Sequence, residues 1–159
     1  MTDLDDINLR IFKNKNSLKR QSDLKYGLEQ EQKAIKILNT YFKDILHKTK
    51  NIYCSYDFIG LKTNTLYELK SNKYSIKKYP HALITKNKIE KYRDIENIIK
   101  IIFCYEECYE NKIINEYYYI DFISYEDFTK KYKLRLIEIT RGEVLWNYDI
   151  PTTELIKII

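Results

Sequence analysis

The sequence predicts a mixed α/β domain in which a central mixed β-sheet is flanked by helices. A segment with helical periodicity covers residues 23–42, and short β-rich segments then alternate with shorter helical ones. Only 3 glycines and 2 prolines occur in 159 residues, and no repeat or Pro/Gly/Ser-rich linker divides the chain. We therefore expect a single domain over residues 21–159, preceded by a flexible N-terminal arm over residues 1–20.

The first predicted element is a helix over residues 23–42. Its expected buried positions recur at helical spacing: Leu28, Ile35, Leu38 and Phe42. Glu31 falls three residues after the first of these positions and four before the second, so it lies on the apolar face. An unpartnered carboxylate there is costly, and Glu31 is expected to need a cationic partner.

Strands and two shorter helices are predicted to follow. The expected strands cover residues 51–61, 66–71, 97–105, 116–124, 134–140 and 143–148. The expected helices cover residues 86–95 and 125–132. Turns are expected at residues 62–65, which would join the first two strands as a hairpin, and at Arg141-Gly142.

The first predicted hairpin carries the residues with the clearest chemistry. Side chains two apart on a strand share a face, so Glu68 and Lys70 point the same way, and the hairpin brings Asp57 beside them. Two converging carboxylates suit Mg²⁺, which retains waters for a substrate phosphate. A neighbouring ammonium can orient or deprotonate a water and stabilise charge on the phosphoryl group.

Context separates this triplet from two others of the same pattern. Glu31-Gln32-Lys33 lies in a predicted helix, where residues two apart do not share a face, and Glu110-Asn111-Lys112 lies in a polar, loop-like stretch. The alternative interpretation of Glu68-Leu69-Lys70 is an ordinary hairpin with a solvent-exposed ion pair. Glu31 favours the metal site, because a shared metal or Lys70 would supply the partner that it needs.

The order of these residues resembles the PD-(D/E)xK, or restriction-endonuclease-like, nuclease superfamily. Its members place a helix glutamate first, then an aspartate, then ExK on the next strand, within an αβββαβ core. The segment from Gly27 to Leu38, in which Glu31 follows the glycine by four residues, is similar to the first helix of archaeal Holliday-junction resolvases. The resemblance implies metal ligation by Glu31, Asp57 and Glu68 and a catalytic role for Lys70.

A narrower resemblance connects residues 25–159 with small nuclease-like proteins of large DNA viruses. It rests on short motifs: Tyr79-Pro80, Ile84, Lys86-Asn87-Lys88-Ile89, Ile150-Pro151 and Leu155. This similarity implies that Lys88 is an extra active-site cation, although a surface lysine is the alternative in a lysine-rich chain. Tyr56 stands where the superfamily's motif has a proline, which lowers the specificity of the match without removing a ligand.

The expected activity is Mg²⁺-dependent hydrolysis of DNA, with Mn²⁺ as a substitute metal, in viral DNA processing, repair or host DNA degradation. The alternatives are a nucleic-acid-binding module with a degenerate site, a nuclease acting on RNA, and a non-catalytic interaction protein. By analogy with the superfamily, the protein could also form a homodimer that cuts two strands. With no secretory or membrane-spanning segment in the sequence, we expect an intracellular protein; three cysteines without a CxxC pair predict neither a disulfide nor a zinc site.

Overall fold

The computed structural model describes residues 3–50, 54–140 and 142–159 and divides the chain into two compact units, Met1–Ile37 and Leu38–Ile159. The helix α1, Asp3–Phe42, runs through the first unit and into the second. The prediction that this helix begins at residue 23 is therefore wrong by twenty residues. The proposed division between an arm and a domain at residue 20 stays a prediction.

The buried face of α1 differs from the predicted one. Gln30, Ala34 and Leu38 are buried at intervals of four residues, whereas Leu28 is 48% exposed. The prediction that Leu28 is buried is wrong, while Leu38 is buried as expected.

The second unit contains two β-sheets and two helices among its described residues. In chain order the elements are β1 Leu46–Lys48, β2 Phe58–Gly60, β3 Leu66–Asn72, β4 His81–Thr85, α2 Lys86–Lys91, β5 Ile99–Tyr109, β6 Lys112–Phe122, α3 Tyr125–Lys131, β7 Lys133–Thr140, β8 Glu143–Pro151 and β9 Ile156–Ile158. The mixed α/β class is confirmed. Short 3₁₀ turns cover Ile76–Lys78 and Thr152–Glu154.

The larger sheet is mixed and has the strand order β1-β2-β3-β5-β6-β9. β1, β2 and β3 pair antiparallel, β3 and β5 pair parallel, and β6 and β9 continue antiparallel. β4, β8 and β7 form a separate antiparallel sheet. The two C-terminal strands predicted to extend the central sheet, over residues 134–140 and 143–148, therefore lie in the smaller sheet as β7 and β8.

The core of the second unit centres on β5. Its residues from Ile101 to Tyr105 are all buried, as expected for a strand covered on both faces. β5 and β6 are longer than predicted because a two-residue turn joins them directly. Glu110 and Asn111 form this turn with φ of 48° and 64°, the left-handed geometry that suits a tight hairpin.

Three described strands were not predicted: β1, β4 and β9. The predicted strand over residues 51–61 is also wrong in extent, because among its described residues, 54–61, only Phe58–Gly60 has strand conformation. Residues 51–53 of that prediction, and Arg141 of the predicted turn, lie outside the described residues. The second helix ends at Lys91 rather than at residue 95.

Asp44 anchors the β2–β3 hairpin. Its carboxylate accepts hydrogen bonds from the backbone N–H of Lys62 (3.0 Å), the hydroxyl of Thr63 and the hydroxyl of Tyr67 (2.9 Å). Burial opposes ionisation, but these hydrogen bonds and one from the Ile45 N–H hold the pKa of Asp44 down at about 2. The hairpin that carries Asp57 and Glu68 is thus fixed by a buried carboxylate.

Replacing Asp44 by asparagine is expected to lower the free energy of unfolding by about 2 kcal/mol at pH 7, because an amide nitrogen cannot accept these N–H and O–H bonds. Because the pKa of Asp44 is depressed, the difference in free energy of unfolding between the wild type and the variant is complete above the ordinary pKa of 3.8. It disappears as the pH falls through about 2. Urea unfolding of both proteins at pH 7 and at low pH measures this difference. A constant difference across that range would contradict it.

Candidate active site

The β2–β3 hairpin places Asp57 beside β3. The Asp57 backbone N–H donates to the carbonyl of Tyr67 (2.9 Å), which extends the Phe58–Tyr67 pairing by one residue. The Asp57 Oδ2 atom accepts the N–H of Leu69 (2.8 Å). The aspartate carboxylate is therefore fixed at the backbone of the residue between Glu68 and Lys70, as the sequence predicts.

Glu68 and Lys70 lie on one face of β3, opposite Ile101 and Phe103 of β5 in the register of the sheet. Glu68 is only 4% exposed. The alternative expectation of a solvent-exposed ion pair between Glu68 and Lys70 is therefore wrong.

Lys88 approaches the same carboxylate from α2. Thr85 caps this helix through the Lys88 N–H, and the Lys88 side chain then reaches Glu68, with 2.9 Å between Nζ and Oε1. The Lys88 Nζ also donates to the carbonyl of Ser55 (3.5 Å). The structure thus brings together four of the five candidate residues: Asp57, Glu68, Lys70 and Lys88.

Burial dominates the electrostatics of this cluster. It raises the pKa of Glu68, as does the neighbouring charge of Asp57, and the partial compensation by Lys88 and Lys70 leaves that pKa at about 7. Burial lowers the pKa of Lys70, and Glu68 opposes this effect. A carboxyl group and an amine with pKa values displaced toward neutrality are typical of sites that exchange protons.

One buried oxygen of the cluster lacks a hydrogen bond. Within the described ranges, the Glu68 Oε2 atom is buried without a partner, while Oε1 is bound to Lys88. These residues contain no group of three or more His, Cys, Asp or Glu side chains placed to hold a metal ion. Two carboxylates, Asp57 and Glu68, nevertheless fit Mg²⁺, which commonly binds one or two carboxylates and keeps its remaining waters.

Tyr92 is a member of this neighbourhood that sequence reasoning missed. Its side chain is fully buried, and its hydroxyl has no hydrogen-bond partner in the described part of the chain. Burial raises the pKa of Tyr92 strongly, and the charges of Glu68 and Asp57 raise it further. One signal was present in the sequence: Tyr92 follows Lys88 by four residues, the spacing that places side chains on one helical face.

Replacing Tyr92 by phenylalanine is expected to raise the free energy of unfolding by about 1 kcal/mol in EDTA, because it removes a buried polar group without a partner. Thermal unfolding of the metal-free proteins measures this effect. Tyr132→Phe is the matched control, since the Tyr132 hydroxyl interacts with Glu154 and its removal should not stabilise the protein. A Tyr92→Phe variant less stable than the wild type would contradict the assignment.

Glu31, the fifth candidate, is half-buried on α1 and belongs to the first unit. Its role as a metal ligand stays a prediction. Cys54, Cys104 and Cys108 are free thiols.

Compared with family models, curated proteins and solved structures, the chain matches none of them. In the described part of the chain, no helix is both long enough and apolar enough to cross a membrane.

Proposed function

We propose that this protein is a Mg²⁺-dependent nuclease that hydrolyses phosphodiester bonds of DNA. The observation that carries the proposal is the buried Glu68 carboxylate, which is flanked by Asp57 and two lysines and keeps one oxygen without a hydrogen-bond partner among the described residues. A buried charge cluster of this kind costs stability, so a ligand that completes it explains its presence.

The strand order also supports a restriction-endonuclease-like core. Three antiparallel strands, β1 to β3, are followed by a crossover that contains α2, and β5 then pairs parallel to β3. With α1 first in the chain, this order is consistent with the αβββαβ core that the resemblance implies, apart from β4, which is inserted before α2. The two proposed ligands, Asp57 just before β2 and Glu68 on β3, follow the order in which the superfamily has its aspartate and ExK.

Asp57 and Glu68 would hold the metal. When bound, Mg²⁺ supplies charge neutralisation for the phosphate and a water of lowered pKa. Lys70, whose pKa is lowered by burial, is suited to accept a proton from the attacking water or to orient it. Lys88 fixes one oxygen of Glu68 and adds positive potential for the phosphoryl group.

The charge of the whole chain is consistent with a polyanionic substrate. Its formal net charge is +5, which favours association with phosphate backbones. DNA is the substrate that the family resemblance favours, and RNA is the alternative within the same chemistry.

A cleavage panel tests the proposal. The purified full-length protein is incubated with labelled duplex DNA, single-stranded DNA, a four-way junction and RNA, in Mg²⁺, Mn²⁺ or EDTA. We expect cleavage of at least one DNA substrate with either metal and none in EDTA, and a loss of this activity in Glu31→Gln if Glu31 is a ligand. Absence of cleavage under every condition would overturn the proposal.

A second candidate is a nucleic-acid-binding module with the same fold and no catalysis. The ion pair between Lys88 and Glu68 favours it, because the lysine neutralises the glutamate without a metal. This function predicts salt-dependent binding of nucleic acid, no cleavage, and a melting temperature that Mg²⁺ does not raise.

A further inference from the structure

A cavity of about 190 Å³ lies next to the candidate active site. Its lining comes from both sheets: Lys70 and Asn72 belong to β3, Phe103 to β5, Ala82 to β4 and Asn147 to β8. A water molecule occupies about 30 Å³ of liquid volume, so the cavity has room for a flat organic ring rather than for a single solvent molecule. Because Lys70 belongs to both, the cavity and the candidate active site share an ammonium group.

Aromatic side chains form part of the lining. Phe103 and Tyr105 come from β5, and Tyr74 contacts Tyr105 with ring centroids 6.1 Å apart. Aromatic and apolar walls of this kind hold nucleobases that have left a base stack.

Two amides belong to the polar part of the cavity lining. The Asn147 Nδ2 atom donates to the carbonyl of Leu145 (3.0 Å), and the Asn72 Nδ2 atom donates to the carbonyl of Cys104 (3.3 Å). Because a carbonyl can only accept, these contacts fix which end of each amide is the nitrogen. The side-chain oxygens remain as acceptors, and Asn147 is only 2% exposed. An exocyclic amino group matches such acceptors.

We propose that this cavity binds an unpaired base that carries an exocyclic amino group, as adenine and cytosine do, in a nucleotide adjoining the scissile phosphate. The inference rests on the proposed nuclease function. Lys70 contacts the phosphate, the aromatic side chains enclose the base, and the two amide oxygens accept its exocyclic amino group. A base inside a duplex cannot enter such a cavity, so the substrate is single-stranded or locally unpaired DNA.

Binding in the absence of metal tests the cavity independently of cleavage. Labelled oligothymidine strands with or without one central adenosine or cytidine are titrated with the full-length protein in EDTA, and anisotropy is recorded. We expect about tenfold tighter binding of the strands that carry adenosine or cytidine, as one added hydrogen bond in a dry site allows. Asn72→Leu and the cavity-filling variant Ala82→Leu should abolish this preference.

Asn97→Leu is the matched control, because the Asn97 amide also donates to a backbone carbonyl, that of Asn64, but does not line the cavity. Its preference should equal that of the wild type. Melting temperatures identify any variant that fails to fold. The test of base preference needs only one of the two cavity variants, Asn72→Leu or Ala82→Leu, to be folded.

Cleavage of the same strands in Mg²⁺ separates the two proposals. Cleavage concentrated next to the adenosine or cytidine supports both. Cleavage that is indifferent to the base, together with equal binding of all strands, overturns the cavity assignment and leaves the nuclease proposal standing. Base-dependent binding that Asn72→Leu abolishes, without cleavage of these strands or of any substrate in the cleavage panel, overturns the nuclease proposal and leaves base recognition by the cavity.

Discussion

Replacing Lys70 by methionine is expected to reduce metal-dependent cleavage by about a thousandfold, the range typical of losing a proton-transfer group or a charge-stabilising donor. Methionine preserves the length and packing of the side chain. The free energy of unfolding should change little, because the variant loses both a desolvated ammonium and its attraction to Glu68. Single-turnover cleavage with saturating protein measures the chemical step.

Lys100→Met is the matched control for Lys70→Met. Lys100 lies on the neighbouring strand β5 in register with Tyr67, which places it on the opposite face from Lys70, and it pairs with Asp121 at 2.6 Å. This variant should cleave within about twofold of the wild type, as surface ion pairs contribute little. Equal losses of cleavage in Lys70→Met and Lys100→Met would show that the effect comes from the loss of one positive charge anywhere on the protein rather than from the candidate site.

Lys70→Arg distinguishes the two roles of the ammonium. Arginine keeps the positive charge but does not release a proton in the accessible pH range. If Lys70 accepts the proton of the attacking water, Lys70→Arg should be as inactive as Lys70→Met. If Lys70 acts through its charge alone, much of the activity should return. Full activity in Lys70→Met would remove Lys70 from the site.

Local patterns account for what the sequence predicted of the fold. The strands β5 and β6, the β7–β8 hairpin and α3 have apolar patterns or capping residues within their own segments, and all are present. β1 and β9, with three residues each, are too short to show a period. The first twenty residues of α1 were missed because their sequence lacks an amphipathic period.

Tertiary packing accounts for what the sequence could not predict of the site. The hairpin geometry that joins Asp57 to Glu68 follows from strand alternation and was predictable. The burial of Glu68 was not, because it depends on side chains from distant segments, including Lys88 and Tyr92. The pKa values in the cluster follow from this burial and were beyond the reach of sequence patterns.

Replacing Glu68 by glutamine is expected to abolish cleavage while making the metal-free protein more stable above pH 7. The raised pKa of Glu68, about 7 against an ordinary 4.5, means that the folded protein holds a proton that the unfolded chain releases. Wild-type stability is therefore lost as the pH rises from 4.5 to 7 and does not fall further from this source. Relative to Glu68→Gln, the loss between pH 5 and pH 8 should be about 2 kcal/mol.

Lys70 acts in the same direction in this comparison. Removing the Glu68 charge takes away the interaction that supports the Lys70 ammonium, so the Lys70 pKa falls further in the variant. When the folded variant holds Lys70 as a neutral amine and the unfolded chain holds it protonated, a rise in pH favours the folded state. The stability of Glu68→Gln relative to the wild type should therefore increase with pH through both groups. Urea unfolding in EDTA at several pH values measures it.

Addition of Mg²⁺ should make the wild type more stable than Glu68→Gln, the reverse of their order in EDTA above pH 7. A cation bound by Asp57 and Glu68 stabilises only the folded wild type, and its affinity should rise with pH as Glu68 loses its proton. Glu68→Gln lacks one of the two carboxylates and should show little increase in melting temperature. If Mg²⁺ stabilises both proteins equally, the metal does not bind at Glu68. If the wild type is the more stable protein at pH 8 in EDTA, the ionised carboxylate is compensated by its lysines, and the cluster needs no metal.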